Sequence, residues 1–376
     1  MMRYSPIDAP FAVILSPLIH FRKVLVELYA KAMVEYQYMN KRQHMVYGIG
    51  NPLIDIIVSV EEQDIVDLGI HKGTMALISN QRMEELLQLS KQRKTTYSCG
   101  GSCPNTIIAL ASLGVPATLA GKIGSDENGK IYRDRLTKLG VQDELVTTDK
   151  EMTGSTVILI TPDSERSMNT FLGANRLYEA GDVCESTVAG ADFFHFTGYM
   201  WDTQSQQAAI TKALSIAKQN NTTVSFDLAD PFAVGRYREP FLSLIKESCD
   251  IVFANREEAR ILFDNYDPYE CCRSMGKLCR TAIVKNGKKG SYICHEGVIT
   301  AIPVKGPVVP VDTTGAGDVY AAGFLYGQYH NFSIQDSGII ASILAGEIIT
   351  QRGAQFSNEQ AEELKKLLSS GTWRSL

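Results

Sequence analysis

The sequence has no long run of basic residues and no apolar run of the roughly 20 residues that a membrane helix needs. Its 42 Asp and Glu residues outnumber 37 Lys and Arg residues, giving a formal charge of −5. Proteins that bind nucleic acid gather Lys and Arg against the phosphates, so this composition does not favour that class. An apolar stretch at 11–19 is broken by Pro17 and is too short to span a bilayer. We expect a protein that binds neither nucleic acid nor a membrane.

Metal-binding spacings of cysteine and histidine are also missing. The eight cysteines are scattered and form no pair of Cys-x-x-Cys units, and the six histidines show no metal or catalytic-triad spacing. A structural zinc site is therefore not expected. Free thiols are typical of a reducing cytosol, which predicts a cytoplasmic protein. Cys99 and Cys103 flank a glycine pair, and a redox role for them is the alternative.

Residues 1–44 differ from the rest of the chain. Apolar side chains recur at helical spacing over 18–39, which indicates an amphipathic helix. Such a helix could dock on the body or a partner, or the segment could direct targeting. Translation could also begin at Met39 or Met45. We expect a dispensable or mis-assigned extension.

The body alternates strand and helix patterns from residue 191 onward. This rhythm predicts an α/β fold with a doubly wound, mainly parallel sheet and helices on both faces. Ligands in such folds lie beyond the carboxyl ends of the strands, where Asp227, Asn255 and Asn286 are expected. Residues 153–172 instead predict an antiparallel hairpin that extends from the core as a flap. Short strands are expected over 65–79.

Residues 311–319, Val-Asp-Thr-Thr-Gly-Ala-Gly-Asp-Val, form the most informative stretch. Gly315, Ala316 and Gly317 bring backbone N–H groups close to a ligand and open a helix, whose positive end binds anions such as phosphate. A carboxylate at Asp318 would repel a resting phosphate. It fits a group that accepts a proton from a hydroxyl attacking that phosphate. The alternative is a plain small-residue turn.

Four further motifs each have a structural alternative. Asp55 follows a Gly-Asn-Pro break, and Asn105 follows the Gly100-Gly101 pair; both suit sugar hydroxyls, or else cap local backbone. Asn255 and Glu258 have the spacing of a capping box, or could steer Mg²⁺ through water. The turn at 285–290 could meet nucleotide phosphates or base, or simply join two strands.

These motifs, in this order, resemble the ribokinase-like (PfkB) carbohydrate kinase family. The resemblance covers about 46–370, and Gly-Asn-Pro-Leu-Ile-Asp at 50–55 and the stretch 171–175 are most similar to the adenosine kinase branch. It implies a Rossmann-like domain with a small β-sheet lid, and transfer of the ATP γ-phosphate to a primary hydroxyl with Mg²⁺. The implied core is 45–55, 100–150 and 174–376, and the implied lid elements are 56–99 and 151–173.

The resemblance also implies residue roles. Asp318 would be the base, with Gly315, Ala316 and Gly317 as the anion hole. The substrate would contact Asn51, Asp55, Gly100, Gly101, Asn105 and Tyr199, with Tyr199 a candidate for stacking on adenine. ATP would contact Asn255, Lys285, Asn286, Gly287, Asp312, Thr313, Ala345 and Gly346. Glu258 and Asn255 would hold Mg²⁺, through water.

The expected substrate is adenosine, phosphorylated on its 5′-hydroxyl, which would place the protein in purine salvage. A monomer or homodimer is expected. Thr314 stands where animal adenosine kinases usually have Asn and sugar kinases commonly have Thr. The alternative is therefore a ribokinase- or fructokinase-like sugar kinase. A non-catalytic ligand-binding protein on a kinase fold is a further alternative. An NAD-dependent oxidoreductase is disfavoured because no Gly-x-Gly-x-x-Gly follows the first strand.

Overall fold

The computed structural model describes residues 45–163, 165–306 and 308–375. The predicted extension over 1–44 lies outside the described residues. The described chain forms two sheets, one of nine strands and one of five.

The nine-stranded sheet has the order β14-β13-β12-β11-β10-β9-β1-β5-β6. Strands β12 to β6 in this order run parallel, and β13 and β14 add an antiparallel hairpin at one edge. Its strands are β1 (Val46–Ile49), β5 (Ala117–Gly124), β6 (Gln142–Thr148), β9 (Phe193–Thr197), β10 (Thr223–Asp227), β11 (Ile251–Asn255), β12 (Thr281–Lys285), β13 (Ser291–His295) and β14 (Val298–Ile302).

Helices cover both faces of this sheet. The α-helices are α1 (Glu62–Asp67), α2 (Asn80–Ser90), α3 (Ser102–Ser112), α4 (Glu127–Lys138), α5 (Glu185–Gly190), α6 (Gln204–Gln219), α7 (Pro231–Arg236), α8 (Arg238–Ser248), α9 (Arg256–Phe263), α10 (Pro268–Met275), α11 (Ala316–Tyr329), α12 (Ile334–Ile348) and α13 (Asn358–Ser370). Short 3₁₀ turns lie at Gly173–Leu177, Ala180–Asp182, Gly198–Trp201, Gly287–Lys289 and Thr372–Ser375.

Alternate residues of the central strands face two separate hydrophobic cores. In β11, Ile251 and Phe253 pack in the core that contains α11 and α12, whereas Val252 and Ala254 pack in the core that contains α6 and α8. Buried on both sides, parallel strands can be apolar over successive residues, as β11 is from Ile251 to Ala254. The predicted fold class is confirmed.

The five-stranded sheet has the order β3-β8-β7-β2-β4. Its strands are β2 (Leu53–Ser59), β3 (Met75–Leu77), β4 (Thr95–Gly100), β7 (Ser155–Ile160) and β8 (Arg166–Phe171). The antiparallel pair β7 and β8 is the hairpin that the sequence predicts. We refer to this five-stranded sheet as the lid sheet.

The first apolar stretch divides between the two sheets. Strand β1 ends at Ile49, and β2 begins at Leu53. The sequence placed Asp55 in the core, but this residue lies in the lid sheet, where it pairs with Ser98 and Thr156. Proline and the tight Gly-Asn-Pro break interrupt strand pairing here. The division into a core and a lid domain itself stays a prediction. The expected short strands over 65–79 were wrong in part, because Ile65 lies in α1.

The described helices include none that is both long and apolar enough to cross a bilayer. All eight cysteines are free thiols.

Helices α11 and α12 approach each other closely through glycine. A Cβ atom on Gly323 would lie 2.7 Å from the Cα of Ala341, well inside van der Waals contact. This contact holds in place the helix that begins at the Gly-Ala-Gly turn.

We expect Gly323→Ala to lower the free energy of unfolding by about 1–3 kcal/mol, because the backbone of α12 must shift to admit the methyl group. Gly235→Ala is the matched control, since Gly235 also lies in a helix but has open space around it. It should be neutral or gain up to about 1 kcal/mol from helix propensity. Urea denaturation of both variants measures this, and equal stabilities would contradict the packing argument.

Candidate active site

Two helices begin side by side at the carboxyl edge of the large sheet. Gly101 precedes α3 with φ 106° and Gly315 precedes α11 with φ 77°, a left-handed region that favours glycine. A Cβ on Gly101 would collide with the carbonyl oxygen of Asn51, and one on Gly315 would lie 2.8 Å from the Cα of Ala354. Both turns therefore need glycine, and both leave free N–H groups at a helix start.

Asp318, in the first turn of α11, is held by side chains of α3. Ser102 Oγ donates to Oδ1 at 2.6 Å, and Asn105 Nδ2 donates to Oδ2 at 2.9 Å. Thr106 Oγ1 donates to the backbone oxygen of Asp318 at 3.1 Å. The carboxylate is thus fixed in orientation beside the start of its own helix.

The surroundings of Asp318 make it a better proton acceptor than an ordinary aspartate. Burial raises its pKa to about 7, against the hydrogen bonds from Ser102 and Asn105. The charge of Asp227 raises this pKa further, and that of Lys285 lowers it. A general base acts best with a pKa near the working pH.

Lys285 at the end of β12 connects the acids of this region. Its Nζ donates to Oδ2 of Asp227 at 2.8 Å, and a Cβ on Gly317 would lie 3.1 Å from the same nitrogen. Burial lowers the pKa of Lys285, but the charges of Asp227, Glu258 and Asp318 outweigh this and raise it, which keeps the side chain protonated. A positive charge therefore lies beside the N-terminus of α11, where an anion would bind.

Asn255 and Glu258 form the capping box of α9. Asn255 Oδ1 accepts the N–H of Glu257 and of Glu258, and the Glu258 carboxylate accepts the N–H of Asn255 at 2.7 Å and its Nδ2 at 2.5 Å. Burial, and next the charge of Asp227, raise the pKa of Glu258 to about 7. The capping box that the sequence offered as the structural alternative is therefore complete. Three carboxylates nevertheless face one lysine here, an imbalance that a cation would relieve.

A cavity of about 470 Å³ opens next to Ser102 and Asn105, the residues that hold Asp318. Asp55 lines it from the lid sheet, and its carboxyl carbon would lie 2.7 Å from a Cβ on Gly100. Gly100 therefore makes room for this carboxylate. Burial raises the pKa of Asp55 to about 7, which the charge of Arg166 opposes. None of the side-chain hydrogen bonds among the described residues ends on Asp55 Oδ1 or Oδ2, so both oxygens can accept from a ligand.

The rest of the cavity is mainly apolar. Leu53, Ile158 and Met168 line it from the lid sheet, together with Met75 and Leu77. The core side contributes polar side chains and the aromatic ring of Tyr199. The lining residues on this side are Asn51, Thr197, Tyr199, Asp202, Asp230 and Arg236. Asn51 is held by Gln206, whose Nε2 donates to Asn51 Oδ1 at 2.8 Å. Such a cavity suits a flat apolar group joined to a hydroxylated one.

Comparison with known proteins agrees with this geometry. The pfkB family carbohydrate kinase model matches residues 70–361. The chain belongs to the pfkB family of carbohydrate kinases. A probable sugar kinase from Rhizobium etli superposes with a TM-score of 0.79 at 33% identity, over 88% of this chain and 98% of that one. An adenosine kinase from Sinorhizobium meliloti gives 0.77 at 34% identity, over 85% and 98%. Adenosine kinase 1 of Arabidopsis thaliana is 24% identical, over 81% of this chain and 93% of its own.

The resemblance inferred from the motifs is thus confirmed, and so is the class of enzyme, a phosphotransferase with an alcohol acceptor. The chain is a sugar or nucleoside kinase of this family, and the family uses ATP.

The kinase places its expected nucleotide residues away from the cavity. Asn286 and Gly287 continue from β12 into the following turn, and Ala345 and Gly346 lie near the end of α12. The end of that helix borders the loop at 311–318, which we call the central loop. There the carbonyl oxygen of Ile349 accepts the N–H groups of Val311 and Asp312. Thr313 is exposed. The roles of these residues stay predictions.

Arg166 makes contacts that the sequence did not predict. It lies at the start of β8, and its Nη1 donates to Asp312 Oδ2 at 2.6 Å and to Thr314 Oγ1 at 2.7 Å. Asp312 also accepts the N–H of Gly353. Burial would raise the pKa of Asp312, but hydrogen bonds from Gly353 and from the N–H and hydroxyl of Thr314, with the Arg166 charge, bring it down to about 2. The lid sheet is thereby attached to the loop that precedes Asp318.

The stability of the unliganded kinase should fall as pH rises from 4 to 7. Unfolded carboxyls have pKa values near 4, whereas Asp55, Glu258 and Asp318 have pKa values of about 7 in the folded chain. The folded state binds more protons in this window, so raising pH favours unfolding. Asp55→Asn removes one of these groups and should make the decline between pH 5 and pH 8 shallower.

Chemical denaturation at pH 5 and pH 8 measures this difference. Asp163→Asn is the control, because the hydrogen bond from Lys72 lowers the pKa of Asp163 to about 2 and it does not titrate in this range. An Asp55→Asn decline as steep as that of the control would contradict the assignment.

Proposed function

We propose that this kinase transfers the γ-phosphate of ATP to the 5′-hydroxyl of a nucleoside, adenosine in particular. The observation that carries the proposal is the position of Asp318. Its carboxylate lies in the first turn of α11, an anion-binding end, and is held by Ser102 and Asn105, which also line the cavity. A hydroxyl in the cavity and a phosphate at the helix would meet at this carboxylate.

The acceptor end fits a ribose. Asp55 offers two carboxylate oxygens to hydroxyl donors, and the amide of Asn105 can both donate and accept. The carbonyl oxygen Oδ1 of Asn105 is buried and has no hydrogen-bond partner among the described residues, so a substrate hydroxyl could satisfy it. Both side chains border the cavity near Asp318.

The charge of the cavity favours a neutral acceptor. Its lining includes Asp55, Asp202 and Asp230 and one cationic residue, Arg236, which is paired with Asp202 at 2.9 Å. An anionic sugar derivative would meet repulsion here. The apolar lid residues and Tyr199 favour a base over a second hydroxylated group. A ribose- or fructose-like sugar kinase remains the second candidate, and Thr314 in the central motif is the observation that favours it.

The nucleotide end is formed by α11 and its neighbours. The N–H groups at Gly315, Ala316 and Gly317, with the Lys285 charge beside them, would stabilise negative charge that builds on the transferring phosphoryl group. We place the rest of ATP along the edge formed by the remaining expected residues, which are Asp312, Thr313, Asn286, Gly287, Ala345 and Gly346.

The residues near Lys285 fit Mg²⁺ held through water and do not fit direct coordination. Both oxygens of Glu258 and the amide of Asn255 are occupied by the capping box, and no group of three metal-ligating side chains occurs among the described residues. Glu258 and Asn255 would therefore hold the hydrated ion. When bound, Mg²⁺ would neutralise phosphate charge, as it does in phosphoryl transfer generally.

In this mechanism Asp318 accepts the proton of the attacking hydroxyl. Asn105 and Ser102 keep the carboxylate aimed, and Asp55 orients the sugar. The lid sheet, joined to the central loop through Arg166, excludes water that would compete for the phosphate. A non-catalytic role is disfavoured, because Asp318, Gly315 and Gly317 are all present in a continuous site.

Asp318→Asn should reduce turnover of adenosine by about 100- to 10,000-fold, the range for loss of a general base. The amide retains the shape of the carboxylate, so the melting temperature and ATP binding should be preserved. Asp264→Asn is the control, since Asp264 ends α9 in a left-handed conformation that Asn also tolerates. Coupled ADP-release assays with adenosine and with ribose measure both variants. Turnover of adenosine by Asp318→Asn at the rate of the Asp264→Asn control would contradict the role.

A further inference from the structure

We propose that Asp230 determines substrate specificity by accepting a hydrogen bond from a donor on the nucleoside base. The inference rests on the proposed nucleoside kinase function and names the group that reads the base. Asp230 lines the cavity and begins α7 as its N-cap.

The backbone around Asp230 is shaped to present this side chain. Gly198 allows the turn at Tyr199 to approach the next strand end, because a Cβ there would lie 2.5 Å from the carbonyl oxygen of Leu228. Ala229 adopts a positive φ of 70°, which costs energy for a residue with a side chain. The N–H of Ala229 donates to Asp227 Oδ1 at 3.0 Å and holds this conformation.

One oxygen of Asp230 is committed and the other is nearly free. Oδ1 accepts the N–H of Phe232 at 2.7 Å and that of Ala233 at 3.1 Å, which fixes the carboxylate. Among the described residues Oδ2 accepts one hydrogen bond, a long one from the Tyr199 hydroxyl at 3.3 Å. A carboxylate oxygen can accept more than one donor, so Oδ2 can take another from a ligand.

No cationic side chain among the described residues forms an ion pair with Asp230. Arg236, the cationic residue of the cavity lining, forms its ion pair with Asp202. In the described part of the chain, none of the ion pairs involves Asp230. A hydrogen bond to such a charged acceptor is stronger than one between neutral groups.

Two aromatic residues, Tyr199 and Phe232, line the same cavity as Asp230. The Tyr199 hydroxyl contacts Asp230, and the Phe232 ring, two residues further on, lines the cavity while 72% exposed. Leu77 lines the same cavity from the lid sheet and is 48% exposed. Exposed apolar side chains at a cavity mouth gain by covering a flat ring, and the ring edge would then meet Asp230.

A base with an amino group fits this arrangement, and a base that presents only acceptors there does not. Adenosine carries an exocyclic amino group, whereas purine riboside is the same nucleoside without it. Comparing these two nucleosides therefore isolates the effect of the amino donor, because the ribose and the ring size are unchanged.

The test compares kcat/KM for adenosine and purine riboside in wild type and Asp230→Asn. Wild type should prefer adenosine by about 10- to 100-fold, the value of a hydrogen bond to a charged group. Asn retains the capping oxygen but turns an amide donor toward the base, so the preference should fall to within a few-fold. Asp267→Asn is the matched control, because Asp267 also caps a helix ahead of a proline and lies outside the cavity lining.

Each outcome decides the inference. Equal use of the two nucleosides by wild type, or an unchanged ratio in Asp230→Asn, would overturn it and leave the nucleoside kinase function standing. Turnover of a free sugar with neither nucleoside used would overturn both. If melting shows that Asp230→Asn is unfolded, Asp230→Ser keeps a capping oxygen, withdraws the charge and must lose the same preference.

Discussion

The hydrogen bonds that Ser102 and Asn105 donate to Asp318 are the contact on which the site depends. They join the first turns of two helices whose residues are more than 200 positions apart in the chain. One helix end lies beside the cavity and the other offers free N–H groups to an anion. Burial would be costly for an isolated carboxylate, but here both oxygens of Asp318 accept hydrogen bonds. The same burial raises the pKa of Asp318, which suits its proposed role as the base.

Charge then divides the site into two ends. Toward the cavity, Asp55 and Asp230 present carboxylate oxygens that favour neutral, donor-rich ligands. Toward α11, Lys285 and the helix N-terminus favour anions, while Asp227 and Glu258 leave negative charge for a hydrated cation to balance. Arg166 attaches the lid sheet to the loop between these ends. Under the proposed function, electrostatics as well as shape would separate the substrate from the phosphate donor.

The sequence predicted the parts of the site that lie in one local motif. The turn at 312–318 has a composition with few structural alternatives, and regular alternation of elements predicted the parallel sheet. The sequence did not predict that β2 lies in the lid sheet, because an apolar strand pattern does not indicate which sheet the strand joins. The contacts of Ser102 and Arg166 and the proposed role of Asp230 were also missed. Each is an ordinary cap or surface residue locally, and its partner lies in a distant part of the chain.

Transfer of phosphate to a nucleoside 5′-hydroxyl at Asp318 is the proposed reaction. Phosphorus NMR of the products of wild-type enzyme, ATP, Mg²⁺ and adenosine tests it most directly. A new phosphomonoester signal, split by the two protons on C5′, is the predicted result. Phosphate on a secondary hydroxyl, or release of inorganic phosphate alone, would contradict the account.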